Sequence, residues 1–160
     1  MPVRRGLVAC IGCVCALSLS IVAACDGGLA PPEDQRTGTI EAGIRYVGTW
    51  PPADSVRDIR FVAMRFVPRD TSDFLELNRL AISDRLSYGV NEETVRVSDI
   101  RPGVFVYSGI AVNYAPSIFA WRPVAVYEEN DGVFEVAPSE TVRIQIEVDF
   151  SAPPEFPPPQ

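Results

Sequence analysis

Apolar and polar residues alternate along most of the chain beyond residue 36. In residues 39–47, Ile40, Ala42, Ile44 and Tyr46 share one face while Thr39, Glu41, Gly43 and Arg45 share the other. Period two with one apolar face predicts a half-buried strand. Residues 141–150 repeat the pattern most cleanly, with Val142, Ile144, Ile146, Val148 and Phe150 inward and Arg143, Gln145, Glu147 and Asp149 outward. Residues 59–67 are apolar on both faces: Val62, Met64 and Phe66 oppose Phe61, Ala63 and Val67, with Arg65 among the latter. That predicts a central strand or one covered by an insertion. One or two short strands are expected within 80–90, and others at 94–100, at 104–114 with a bulge after Gly109, at 122–127 and at 133–136. Pro51-Pro52, Pro68, Arg101-Pro102-Gly103 and Asn130-Asp131-Gly132 punctuate them. Asp73 and Glu76 stand in capping-box spacing and predict a short helix over 73–80, a lid over one sheet edge or a partner-binding helix. The sum is an all-β β-sandwich of seven to nine strands with one short helix.

The first residues follow a different pattern. Arg4 and Arg5 precede an uncharged, mostly apolar run of 18 residues, 7–24, that stops at Cys25. Val22-Ala23-Ala24-Cys25 resembles the lipobox of bacterial lipoproteins: an aliphatic residue, two small residues, then Cys. The resemblance implies a signal peptide over 1–24, cleavage between Ala24 and Cys25, and lipidation of the Cys25 thiol. The product would be exported and held on the cell membrane or outer membrane, facing the periplasm or exterior. Two other readings remain open, an ordinary secretory signal and an uncleaved anchor. Eighteen helical residues reach ~27 Å, marginal for a bilayer core of ~30 Å. All three readings put the remaining chain outside the cytoplasm. Cys10, Cys13 and Cys15 read as small apolar fillers of the signal rather than metal ligands, so the cleaved product is expected to lack a disulfide. Residues 25–36 read as a flexible tether, 37–150 as the domain, and 151–160, with five Pro, as a stiff, unpacked Pro-rich tail.

Composition narrows the chemistry. The 160 residues hold 14 basic and 21 acidic side chains; every basic one is Arg, and His and Lys are absent. The Arg bias itself reads as a signature of genome composition or habitat. Without His there is no Ser-His-Asp or Cys-His nucleophile. Without Lys there is no Schiff base and no Walker-type phosphate loop. The acidic balance argues against nucleic acid. No catalytic residue, cofactor or metal is expected. Glu128-Glu129-Asn130-Asp131 is the densest acidic cluster, but it lacks the spaced ligands of a calcium loop and reads as a solvated hairpin tip. Trp50, Tyr114, Phe119 and Trp121, in or beside loops, form the candidate binding surface. The competing reading has the same rings plugging the ends of the sandwich.

Val97-Ser98-Asp99-Ile100-Arg101-Pro102-Gly103-Val104-Phe105 resembles the signature of carboxypeptidase-regulatory-like domains, also called transthyretin-like or prealbumin-like. The opening Gly38-Thr39-Ile40 and the closing strand 141–150 sit where that family places its first and last strands. The resemblance covers about residues 37–150 and departs from the family at 50–58 and 68–94. It implies a sandwich used as a non-catalytic appendage, adhesion or binding module. The expected function is therefore a lipid-anchored envelope lipoprotein, not an enzyme, with a structural or binding role. Its expected partners are the membrane, through the anchor, and envelope proteins or glycans. The alternatives are a carbohydrate-binding accessory module using the loop aromatics and, third, a hydrolase relying on paired carboxylates.

Overall fold

The structure, a computed structural model, describes residues 36–159. The signal, Cys25, the other cysteines, almost all of the tether and Gln160 lie outside the described residues. Among the described residues there are nine strands in three sheets and no α-helix, only short 3-10 turns. The strands are β1 (Gly38–Val47), β2 (Asp58–Met64), β3 (Leu80–Ile82), β4 (Glu92–Ile100), β5 (Gly103–Phe105), β6 (Tyr107–Asn113), β7 (Trp121–Val126), β8 (Phe134–Val136) and β9 (Thr141–Asp149). One sheet has the order β4-β1-β9, a second β3-β2-β6-β7, and β5 pairs with β8 in a small ribbon. β1 is antiparallel to β4 and parallel to β9.

Alternation in the sequence decides which face is buried. Ile40, Ala42 and Ile44 of β1 and Ile144, Ile146 and Val148 of β9 meet Ile59, Phe61 and Ala63 of β2 and Ile110 and Val112 of β6 in one core. Burying each of these larger side chains contributes ~1.5–3 kcal/mol. The outer face of the first sheet is polar, with Arg143 paired to Glu41 at 2.9 Å and Arg45 to Glu147 at 3.6 Å. Such exposed pairs contribute little individually. The apolar outer row of β2 is also buried. Val62 and Met64 form a second cluster with Phe74 and Ala111, against which Phe66, Leu80, Ile82, Tyr107, Trp121 and Phe156 pack. β2 is thus both interior to its sheet and covered, the two conditions its sequence suggested.

Four details differ from expectation. The helix over 73–80 is replaced by 3-10 turns at Thr71–Leu75 and Leu77–Arg79. Asp70 is the cap, accepting from Ser72 N at 2.7 Å, while buried Asp73 accepts from Arg69 N at 2.6 Å. Glu76 pairs with Arg79 instead of closing a capping box. The strand expected over 104–114 breaks at Val106, whose N–H donates to Met64 O; residues before it join β8 and residues after it join β2 and β7. The irregularity near Gly109 falls between Ile110 and Ala111, where the register on β7 jumps from Ala125 to Pro123 and leaves Val124 as the extra residue. The Pro-rich tail is docked at one point, Phe156, whose ring lies 5.6 Å from that of Phe74, while Ser151, Ala152, Pro153 and Glu155 are exposed.

Two glycines are required by close approach. A Cβ on Gly109 would overlap the Ala125 carbonyl oxygen on the neighbouring strand. Gly103 has φ +142° and faces the Arg65 guanidinium, which would collide with any side chain there. Arg65 lies 4.7 Å over the Phe105 ring and donates to the carbonyls of Pro102 and Arg101, tying the 101–103 turn to the core. Burial, then the nearby Arg101 charge, lowers the Arg65 pKa.

Candidate functional site

Strand pairing brings the loops at 48–57, 83–91 and 114–120 to one end of the domain. Asp58 at the start of β2 pairs with Asn113 at the end of β6, which pairs with Trp121 at the start of β7. The 48–57 and 83–91 loops are joined there by the Tyr88 hydroxyl, which donates to Pro51 O at 2.6 Å. All four aromatics expected to form a binding surface lie in or beside these loops, but the structure divides them among three environments.

Trp50 is half-buried and packs against the core. Its ring packs 4.5 Å from Tyr46, 4.6 Å from Phe150 and 5.0 Å from Tyr88. Its indole N–H donates to Val90 O at 3.2 Å. Tyr46 is anchored in turn by a 2.7 Å hydrogen bond to Glu93, and burial together with that carboxylate raises its pKa, so the phenol stays neutral. This box closes the end of the core, which is the plugging role.

Trp121 instead lines an open groove of about 320 Å³ on the outer face of the second sheet. Period two carries Asp58, Arg60 and Val62 along that face of β2, and Ile82 of β3 continues it. The 3-10 segment supplies Phe74, Leu75 and Leu77, and the 114–120 loop supplies Ile118. Leu77 is 66% and Ile118 57% exposed, unusually open for such residues. Tyr114 and Phe119 are exposed in the same loop as Ile118 but do not line the groove. The loop is held by Asn113, whose amide donates to Ser117 O at 2.9 Å and accepts from Ala115 N at 3.1 Å. That bonding turns Ile118 and Phe119 outward.

The groove has a charged margin. Asp58 accepts from Arg60 Nε at 2.9 Å, and Arg85 approaches the same carboxylate at 3.9 Å. Arg60 also donates to Ser83 O at 3.0 Å, which orients its guanidinium. Two guanidiniums thus stand around the one carboxylate of Asp58, beside an apolar channel. This arrangement can hold an apolar chain or ring that carries an acidic or hydrogen-bond-accepting group. Leu75, Ile118, Asp58 and Arg60 were not singled out in the sequence, and Leu77 entered only as part of the expected 73–80 helix. The one local signal was the spacing of Asp58 and Arg60 in phase with Val62; the rest depends on which distant segments meet.

The acidic cluster at 128–131 is not the hairpin tip expected, because β7 before it pairs with β6 and β8 after it pairs with β5; Glu128 precedes a 3-10 turn, Glu129–Gly132, in which Asn130 and Asp131 take φ of 52° and 56°. No family model, no curated protein and no solved structure matches this chain.

Proposed function

We propose that the chain is a lipid-anchored cell-envelope protein whose transthyretin-like β-sandwich serves as a non-catalytic binding module. The anchor reading rests on the apolar run ended by Val22-Ala23-Ala24-Cys25. The domain reading rests on two sheets sharing one core, with Phe105 of the Pro-Gly motif 1% exposed inside it. The observation that carries the binding role is the groove of Trp121, Leu77 and Ile118 with Arg60 and Arg85 at its margin. Its chemistry favours an apolar segment bearing a carboxylate or carbonyl. A glycan reading survives on one feature only, the Trp121 ring beside the Asp58–Arg60 pair.

Two measurements test the proposal. Mass spectrometry of the mature N-terminus should find acylated Cys25; an unmodified terminus elsewhere, or intact Met1, refutes the anchor. Leu77→Ser and Ile118→Ser, both at exposed positions, should leave folding intact and abolish recovery of the partner that the unaltered protein retains from solubilised envelopes. Unchanged recovery refutes the groove as the binding site. Glycan binding that persists in those variants and disappears in Trp121→Ala would select the carbohydrate reading.

A further inference from the structure

β4 is an edge of its sheet and nine residues long. Tyr46 N–H donates to Asn91 O at 2.8 Å, and the register pairs Ile44 with Glu93, Ala42 with Val95 and Ile40 with Val97. In an antiparallel ladder alternate residues turn both backbone groups toward the partner strand. The odd-numbered residues of β4 therefore face β1, and Glu92, Thr94, Arg96 and Ser98 direct their N–H and C=O away from it. These four are also exposed. Among the described residues no strand pairs with this edge, and an edge of this length is a template for another strand.

The other sheet edges are poor templates. β3 has three residues, and β7 contains Pro123, which has no donor. The cleft beside β9 is flanked by Glu147, Asp149, Glu128 and Glu129, so a second copy would meet its own charge there. β4 presents charges of both signs that are not already used: neither Glu92 nor Arg96 has an ion-pair partner among the described residues, whereas Arg143 and Glu147 of β9 are paired with Glu41 and Arg45 of β1.

We propose that β4 pairs antiparallel with β4 of a second copy about a two-fold axis through Thr94, joining the two β4-β1-β9 sheets into one. This register sets Glu92 against Arg96 of the second copy, Arg96 against its Glu92, and Thr94 against Thr94, all favourable cross-strand pairs. Each pair consists of outward-facing residues, so the free backbone groups are used as well. Centring on Val95 would lose both ion pairs, and centring on Arg96 would oppose two guanidiniums. The left-handed Asp99, φ 59°, and Pro102 beyond it end the usable edge. The pair is isologous and closed, so it stops at two copies.

Disulfide trapping in the full chain, purified in detergent and mildly oxidised, tests the register. Residues at the axis lie ~5.5 Å apart between Cα atoms, within reach of a disulfide. Glu92 lies about four residues, ~13 Å, from its own symmetry mate and out of reach. Thr94→Cys should give a cross-linked dimer beyond any formed by the Thr94 parent through its native cysteines. Glu92→Cys and Arg96→Cys should each fail alone and link to one another when mixed. Thr94→Pro, whose lost N–H points away from β1, should keep the circular dichroism spectrum and lose the dimer. Linkage of Thr94→Cys no greater than the parent, equal self-linkage of Glu92→Cys, or a Thr94→Pro dimer overturns the proposal. None of these results depends on the lipid anchor or the groove.

Discussion

Replacing Trp50 by Ala separates a plug from a ligand contact. The indole packs against Tyr46, Phe150 and Tyr88 at 4.5–5.0 Å. Aromatic pairs contribute ~0.5–1.5 kcal/mol each beyond burial. The bond from the indole N–H to Val90 O adds ~1 kcal/mol. Trp50 is half-buried and its loop can partly relax, so the expected loss is about 3 kcal/mol, the low end for deleting a packed Trp. For a domain of this size that lowers Tm by ~10 °C. Urea unfolding followed by circular dichroism measures the loss directly, and Trp50→Phe, which keeps a ring but not the N–H, should cost ~1–2 kcal/mol. A loss below ~1 kcal/mol for Trp50→Ala, together with loss of partner binding, would refute the packing argument and return Trp50 to the binding surface.

Two further substitutions follow from other parts of the fold. The Tyr107 hydroxyl is buried without a hydrogen-bond partner among the described residues, and burial pushes its pKa up to about 12. The folded value lies above the unfolded one, so the neutral phenol's contribution is complete below pH ~10 and is lost as pH rises toward 12. Tyr107→Phe should leave stability at pH 7 unchanged or slightly raised and make the alkaline decline shallower, as read from urea midpoints at pH 7 and 11. A neutral-pH loss above ~1 kcal/mol would mean that the hydroxyl has a partner. Phe156→Ala removes the cover over Phe74 and should cost ~1–2 kcal/mol while increasing binding of a hydrophobic dye; an unchanged urea midpoint would show that the tail does not hold the second cluster.

Local period-two signals were legible where one face is buried against the common core, as in β1 and β9. They were also legible in β2, whose two apolar rows now belong to two different clusters. They failed where a long-range contact decides the conformation. The 73–80 segment lacks a continuous apolar stripe, with Phe74 buried but Leu75 and Leu77 exposed, so its turns follow the Asp70 and Asp73 caps instead of a helix. Val106 looks like any strand residue, yet the chain changes sheets there. Phe156 sits among prolines that predict a free tail, and only its docking on Phe74 shows otherwise. The candidate site was half legible for the same reason. The aromatic loops could be named, but Trp50 and Trp121 differ only in the distant residues that meet them.

The parallel pairing of β1 with β9 governs when the domain can fold. Its first strand is flanked on one side by its last, and Glu41 meets Arg143 across 102 positions of sequence. No N-terminal fragment can complete the first sheet, so closure waits until residue 149 is available, and such high contact order slows folding. A chain emerging from synthesis therefore keeps this sheet open until β9 has been made. If the proposed export precedes folding, that delay keeps the polypeptide threadable through a narrow channel, and β9 becomes the latch that closes the domain afterwards.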